Sequence, residues 1–306
     1  MPVTRGILSE PSFVDGVVVR DGRRIAFRVY GPDSRRRVVF HYGTPGTRRL
    51  SPPYVAAAAR ADVQLLVIDR PGYDGSTRQA GRDVADVGAD AVAVLSELDW
   101  STFAVWGASG GAPHALACAA ALPERVTRCA SVVGPAPFDA DNLDWFAGMS
   151  PGNVKEFKAA AKGERAYRPL VERLAADAVA AAEAGEIELA EGYELPDADQ
   201  RALRARLAEP GHLDRVRAAC AAGVDGWIDD CIAFVRPWGF SLRSLRGPVS
   251  VWYGPDDVLS PRAHAHHLLT VIPHAEDHQL PAGGHILGAE DLDAIYRWLT
   301  TAPTPR

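Results

Sequence analysis

Residues 103–122 carry the sequence FAVWGASGGAPHALACAAAL. A continuous apolar run at 103–106 leads into Gly107-Ala108-Ser109-Gly110-Gly111, and an Ala-rich helical pattern follows. A G-x-S-x-G sequence between a strand and a helix is typical of a sharp turn that projects a serine hydroxyl above a sheet. The flanking glycines remove Cβ atoms that would collide with the strand and the helix, and the helix N-terminus directs backbone N–H groups at developing negative charge. The pattern predicts a nucleophilic serine at position 109.

Two other interpretations of the GASGG sequence are less favoured. A small-residue loop between a strand and a helix would contain the serine only incidentally. A dinucleotide site would need the G-x-G-x-x-G spacing, which GASGG lacks.

Strand and helix patterns alternate over the first third of the chain. Continuous apolar runs, typical of parallel strands buried on both faces, lie at 38–41, 65–69, 103–106 and 130–134. Helical patterns lie at 55–61, 83–98 and 112–122. Two β-rich runs at 17–19 and 25–30 flank Asp21-Gly22, which predicts a hairpin. The alternation predicts the α/β class, with a doubly wound, mostly parallel sheet.

Residues 135–240 interrupt this alternation. They are rich in Ala, Glu and Arg, contain long helical patterns, and hold 12 Lys and Arg against 19 Asp and Glu. Strand and helix patterns then return, at 249–254, 262–271, 276–280 and 290–300. The simplest organisation is a helical cap at 135–240, inserted into one α/β core formed by 1–134 and 241–306.

Composition limits the classes of partner. With 306 residues, 47% of them hydrophobic and 24% charged, the chain has the composition of an ordinary folded protein. Its net charge of −6 argues against nucleic acid as a partner, because no basic field would attract phosphates. No apolar run predicts a membrane-spanning helix or a signal peptide, so we expect a cytoplasmic protein that does not bind membranes. The four cysteines lack both the C-x-x-C spacing of a metal site and the density of a disulfide scaffold.

Further motifs accompany the serine turn in a definite order. They are Tyr42-Gly43-Thr44-Pro45-Gly46, Asp69-Arg70-Pro71-Gly72-Tyr73-Asp74-Gly75-Ser76, the serine turn itself, Gly254-Pro255-Asp256-Asp257-Val258-Leu259-Ser260-Pro261, and Gly284-His285. As an ordered set they resemble the α/β-hydrolase superfamily with an inserted cap, in its serine esterase or prolyl-aminopeptidase-like branch, over nearly the whole chain.

Two positions depart from the family pattern. Tyr42 stands where the family usually has histidine, and His41 lies one place earlier. Asp74 replaces a glycine at a position that can require a positive φ, which Asp tolerates better than most residues.

The resemblance implies a catalytic triad of Ser109, Asp257 and His285. Their order along the chain is the one this fold imposes, because the acid and the base follow later strands than the nucleophile. His285 would take the proton of Ser109, and Asp257 would orient the imidazole. Asp256 is the alternative acid, but the spacing to the flanking Gly and Pro of its motif favours Asp257.

The backbone N–H groups of Thr44 and Gly110 are the expected oxyanion donors. The chemistry needs neither a metal nor an organic cofactor. A histidine cluster at His264, His266 and His267 could suggest a metal, but it lacks nearby Cys or acidic residues at metal-ligand spacing.

These features predict a serine hydrolase that cleaves an ester, thioester or amide of a small molecule through an acyl-enzyme. Aromatic and apolar residues near the two ends of the cap are candidates for the substrate pocket, although each could equally pack between cap and core: Trp145, Phe146, Met149, Trp227, Trp238 and Phe240. Epoxide hydrolases and haloalkane dehalogenases are disfavoured, because those relatives need an aspartate in place of Ser109.

Several alternatives remain open at the sequence level. A prolyl-type aminopeptidase could bind the substrate amine with the acidic residues of the cap, Glu183, Glu186, Glu188, Glu191 and Glu194. Against it, Gly110 stands where those peptidases usually carry tryptophan. Hydrolysis of a carbon–carbon bond, a cofactor-free haloperoxidase side activity and a non-catalytic ligand-binding protein on the same fold are the others. The oligomeric state is open.

Overall fold

An eight-stranded sheet forms the centre of the computed structural model, which describes residues 13–186, 192–280 and 283–301. The strands are β1 Phe13–Arg20, β2 Arg23–Tyr30, β3 Arg37–His41, β4 Gln64–Ile68, β5 Phe103–Ala108, β6 Val126–Val132, β7 Val249–Tyr253 and β8 Glu276–Gln279. Their order in the sheet is β1-β2-β4-β3-β5-β6-β7-β8. β2 is antiparallel to both of its neighbours, and the remaining pairs are parallel. The predicted doubly wound, mostly parallel sheet is confirmed.

The predicted hairpin joins β1 to β2. Arg20 pairs with Arg23, so that Asp21 and Gly22 alone form the turn. Their φ values of 50° and 74° are those of a two-residue turn with both central residues left-handed, which matches the twist of the flanking strands.

Helices cover both faces of the sheet and enclose two apolar cores. They are α1 Pro52–Arg60, α2 Val87–Glu97, α3 Ala112–Ala121, α9 Arg262–Val271 and α10 Ala289–Thr300. Apolar residues of α2, α3 and α9 pack on one face, and those of α1 and α10 on the other. Every residue of β5 is buried, because this strand lies in the middle of the sheet with a core on each side. This explains why the predicted parallel strands are continuous apolar runs.

Between β6 and β7, the described residues form five α-helices, followed by one short 3-10 turn at Leu242–Ser244. They are α4 Pro151–Ala160, α5 Glu164–Ala184, α6 Asp197–Leu207, α7 His212–Cys220 and α8 Asp225–Phe234. A small apolar cluster of their own, including Tyr167 and Ile228, holds several of them together. Phe234 and Trp238 instead pack into the core beside the sheet. The cap boundaries at 135 and 240 therefore stay a prediction.

No helix in the described part of the chain is both long and apolar enough to cross a bilayer.

Candidate active site

Ser109 lies in the turn between β5 and α3. Its φ of 54° is left-handed, a conformation that is uncommon for serine and indicates local strain. A Cβ atom on Gly107 would lie 2.1 Å from the carbonyl oxygen of Gly111, and one on Gly111 would lie 1.9 Å from that of His41. Only glycine at both positions lets the turn before α3 approach β5 and the end of β3 this closely.

His285 joins Ser109 to Asp257. Its Nε2 lies 2.7 Å from Ser109 Oγ, and its Nδ1 lies 2.8 Å from Asp257 Oδ2. The second oxygen of Asp257 accepts the backbone N–H groups of Leu259 and Ser260, at 2.7 and 2.8 Å. Since the carboxylate accepts at Nδ1, the ring donates there, and Nε2 is left to accept the serine proton. The arrangement can turn a serine hydroxyl into a nucleophile.

The three residues predicted as a triad thus meet in one hydrogen-bonded row. Asp256, the alternative acid, is exposed, whereas the side chain of Asp257 is fully buried.

Two opposing effects set the pKa of His285. Burial lowers it, while the Asp257 carboxylate raises it by charge and by its hydrogen bond, and Asp199 raises it further. Arg206 opposes these carboxylates weakly. The net pKa lies above the ordinary value of 6.5, which makes the imidazole a stronger base than a free histidine.

The two predicted oxyanion residues lie beside the serine. A Cβ atom on Gly110 would lie 2.4 Å from Thr44 Oγ1, and one on Gly43 would lie 3.4 Å from Ser109 Cβ. Thr44, Ser109 and Gly110 also line the same cavity. The turn after β3 therefore runs directly alongside the serine turn, as a shared oxyanion site requires.

A buried charge network lies behind this turn. Asp230 of α8 accepts Arg70 Nη2 at 2.7 Å, Arg82 Nη2 at 2.6 Å and Thr44 Oγ1 at 2.7 Å. Arg70 also donates to the carbonyl oxygens of Tyr42 and Gly43, at 2.5 and 2.9 Å. Helix α8 is thereby linked to the backbone that carries Thr44.

Asp230 is charged in this network. Burial by itself raises the pKa of its carboxyl, but Arg70 and Arg82 hold that pKa well below its usual range. The sequence does not predict this residue, because its partners lie up to 186 residues away along the chain.

His41 and His114 lie beside the same network. Both are buried; His114 Nε2 lies 3.4 Å from Asp230 Oδ1, and the ring nitrogens of His41 make no hydrogen bond within the described part of the chain. Burial lowers the pKa of His41 well below its usual value and that of His114 to about 4, so both are neutral. His41 is the last residue of β3, one place before the position where the family usually has histidine.

Asp74 adopts the positive φ that its position was expected to need. Its φ is 35°, and its carboxylate accepts Arg48 and Arg49, each at 2.9 Å.

A cavity of about 270 Å³ opens above Ser109. Its lining residues are Thr44, Ser109, Gly110, Pro135, Asn153, Glu156, Phe157, Leu174, Asp177, Ala178, Tyr193, Trp227, Cys231, Phe234, Leu259 and Ser260. Most of them come from the helices between β6 and β7, which roof the serine. No Lys or Arg occurs among these described lining residues.

Trp227 is the one predicted pocket residue in this lining. Trp145 instead donates its indole N–H to the Ala136 carbonyl at 2.8 Å and packs edge-on against Phe157. Met149 is buried outside the cavity, and Phe146 lies under the ammonium of Lys158. These three predicted pocket residues therefore lie outside this cavity.

Trp238 and Phe240 also lie outside this cavity. Trp238 packs in the sheet core with its ring stacked on Phe240, and both line a separate surface groove. Of the predicted pocket residues, Trp238 and Phe240 therefore pack against the core beside the sheet.

Glu156 is an unpredicted carboxylate in the cavity wall. It is buried, and it accepts the hydroxyls of Tyr167 and Tyr193 and the indole N–H of Trp227, the last at 2.8 Å. Asp177, which is exposed, lines the cavity as well. The cavity therefore has carboxylates but no cationic side chain among its described residues.

The acidic residues considered for an aminopeptidase lie elsewhere. Glu183 pairs with Arg217 at 2.6 Å, and Glu186 and Glu194 are exposed and away from the cavity lining. Glu188 and Glu191 lie outside the described residues. Where the structure places these side chains, they do not face the serine.

His264 packs inside the protein. Its Nδ1 accepts the Ala136 N–H and its Nε2 donates to the Trp145 carbonyl, both at 3.0 Å. Burial lowers the pKa of this ring to about 4. Over the described residues, no three His, Cys, Asp or Glu side chains converge in the manner of a metal site.

The fold agrees with comparisons to known proteins. A family model described as "alpha/beta hydrolase fold" matches residues 36–292. No curated protein sequence gives a significant match.

Solved structures with a similar fold cover nearly the whole chain. A thermophilic esterase from Thermogutta terrifontis superposes with a TM-score of 0.66 at 18% identity, over 94% of this chain and 98% of its own. An enol-lactonase from Burkholderia xenovorans gives 0.64 at 20% identity, over 92% and 97%. A carboxylesterase from Bacillus subtilis gives 0.59 at 16% identity, over 94% and 90%. These identities show a shared fold, and the match of the family model over most of its length shows that the chain belongs to the α/β-hydrolase family.

Proposed function

We propose that this protein is a serine hydrolase that cleaves an ester of a small molecule through an acyl-enzyme. The observation that carries the proposal is the hydrogen-bonded row Ser109–His285–Asp257, with distances of 2.7 and 2.8 Å, at the floor of a cavity. Family membership alone would not carry it, since one fold hosts many functions.

In the first half of the reaction, Ser109 Oγ attacks the ester carbonyl while His285 Nε2 takes the serine proton. Asp257 stabilises the imidazolium, and the N–H groups of Thr44 and Gly110 bind the oxyanion. The bond to the leaving oxygen then breaks, and His285 returns the proton to the leaving alcohol. In the second half, water attacks the acyl-enzyme with His285 again as the base, which releases the acid and restores the serine.

The cavity favours a short, uncharged or cationic substrate. Its volume of about 270 Å³ lies at the small end of ligand sites. Phe157, Leu174 and Leu259 offer apolar contacts to an acyl group, whereas Glu156 and Asp177 would repel an anionic one. We therefore expect short-chain neutral esters and lactones to be better substrates than esters of dicarboxylic acids.

A fluorophosphonate probe tests the proposal, because it labels only an activated serine. The wild type is expected to be labelled and Ser109→Ala is not. A panel of p-nitrophenyl esters of increasing chain length, with a lactone and proline-β-naphthylamide alongside, then defines the substrate class. An unlabelled wild type would favour a non-catalytic ligand-binding protein, and turnover of the amide alone would favour the aminopeptidase.

A further inference from the structure

Asp199, on α6, contacts the main chain of the candidate base. Its side chain is buried, with the residue only 1% exposed. Oδ2 accepts the backbone N–H of His285 and Oδ1 accepts that of Ile286, each at 2.8 Å. One carboxylate thus binds two consecutive amides with both of its oxygens, as a bidentate clamp.

The loop is shaped to admit this carboxylate. A Cβ atom on Gly284 would lie 2.1 Å from Asp199 Oδ2, so any larger residue there would displace it. In the described residues, no Lys or Arg forms a salt bridge with Asp199. A buried carboxylate with only amide partners is costly, and the two charge-assisted hydrogen bonds are what offset that cost.

We infer that Asp199 is a positioning residue for His285, so that catalysis requires α6 to be seated on the loop that carries the base. The inference rests on the proposed function. Asp199 does not touch the reacting atoms: it fixes the backbone from which the imidazole reaches Ser109. The helices above the sheet then contribute to catalysis as well as to the shape of the cavity.

Asp199 also acts on His285 through its charge. The charged groups that face the imidazole are Asp257 at Nδ1, Asp199 below its backbone and Arg206 from the far end of α6. Both carboxylates raise the pKa of His285, and Arg206 lowers it. Removal of the Asp199 charge is therefore expected to lower this pKa.

The test compares Asp199→Asn with Asp197→Asn, a matched control in which the same change is made at an exposed site on the same helix. An amide at position 199 keeps the volume but turns one of the two acceptors into a donor. We expect kcat to fall about tenfold with KM nearly unchanged, the size of effect expected from one charge-assisted hydrogen bond. The control is expected to remain within twofold of the wild type.

Two further measurements do not depend on hydrolysis. Hydrogen exchange is expected to show lost protection in Asp199→Asn at whichever of the His285 and Ile286 amides faces the new NH2 group. An NMR titration is expected to show a lower pKa for His285 in the same variant. If both readouts match those of Asp197→Asn, the inference is overturned. If they change as expected while the wild type hydrolyses nothing and binds no probe, Asp199 does position the loop and the proposed function is the part that fails.

Discussion

Removal of the charge of Asp230 is expected to destabilise the protein strongly. The side chains of Asp230, Arg70 and Arg82 are 0%, 3% and 2% exposed, so that Asp230→Asn would leave two guanidinium groups buried without a counter-charge. Breaking a buried ion pair by removing one partner costs about 3–5 kcal/mol. Against a total stability of about 5–15 kcal/mol, this is a large fraction.

Urea and thermal denaturation measure this loss. At about 2–4 °C per kcal/mol for a large single chain, Tm is expected to fall by about 6–20 °C. Asp256→Asn, at an exposed carboxylate, is the control and should stay within about 0.5 kcal/mol of the wild type. A loss below about 1 kcal/mol in Asp230→Asn would refute the reasoning, because the guanidinium groups would then have other compensation.

The pH dependence of this difference has a definite sign. The pKa of Asp230 is lower in the folded protein than in the unfolded chain. Its contribution to stability is therefore fully present above the pKa of the unfolded chain, and it is lost as pH falls through the pKa of the folded protein. The gap in stability between wild type and Asp230→Asn should therefore persist from pH 8 down to about pH 4. Activity should also fall, since Arg70 binds the carbonyls of Tyr42 and Gly43 next to Thr44, one of the two proposed oxyanion donors.

Three further predictions concern the reaction. The kcat/KM of the wild type is expected to rise with pH through a pKa above 6.5, because His285 must be neutral to act as the base. Asp257→Asn should lower that pKa and reduce kcat by about 10⁴-fold. If the rise of kcat/KM with pH had the same midpoint in the variant, the assignment of this pKa to His285 would be contradicted. Gly110→Ala should reduce kcat by about 10²-fold or more, since its Cβ would press on Thr44; wild-type kcat would exclude the proposed oxyanion site. Asp177→Lys should raise kcat/KM for a p-nitrophenyl hemisuccinate about fivefold and leave p-nitrophenyl acetate unchanged, and equal effects on both esters would argue against a charge effect.

Short sequence patterns, each spanning a few residues, determine much of the secondary structure of this protein. The apolar runs locate the strands, Asp21 and Gly22 form the hairpin turn, and the glycines around Ser109 allow the turn at the end of β5. These features follow from short-range sterics and from burial on two faces, which act on any chain with this sequence. Family motifs in the expected order then named Asp257 and His285, which the structure brings to Ser109.

Contacts between distant segments lie beyond such patterns. Asp199 and Asp230 are two among many acidic residues of the helical segment, and nothing nearby in sequence distinguishes them from solvated neighbours such as Glu194. The aromatic residues at the ends of this segment look alike as candidates, yet Trp227 faces the cavity while Trp145 is buried in packing.

The amino-acid sequence alone determined the sheet, the serine turn and the identity of the three side chains that meet in the hydrogen-bonded row, because each depends on local geometry or on a motif. Only the tertiary structure decided which carboxylates and aromatic rings reach the site. The orientation of each helix over the sheet is set by the sum of many packing contacts, and a side chain's partner therefore depends on the whole fold.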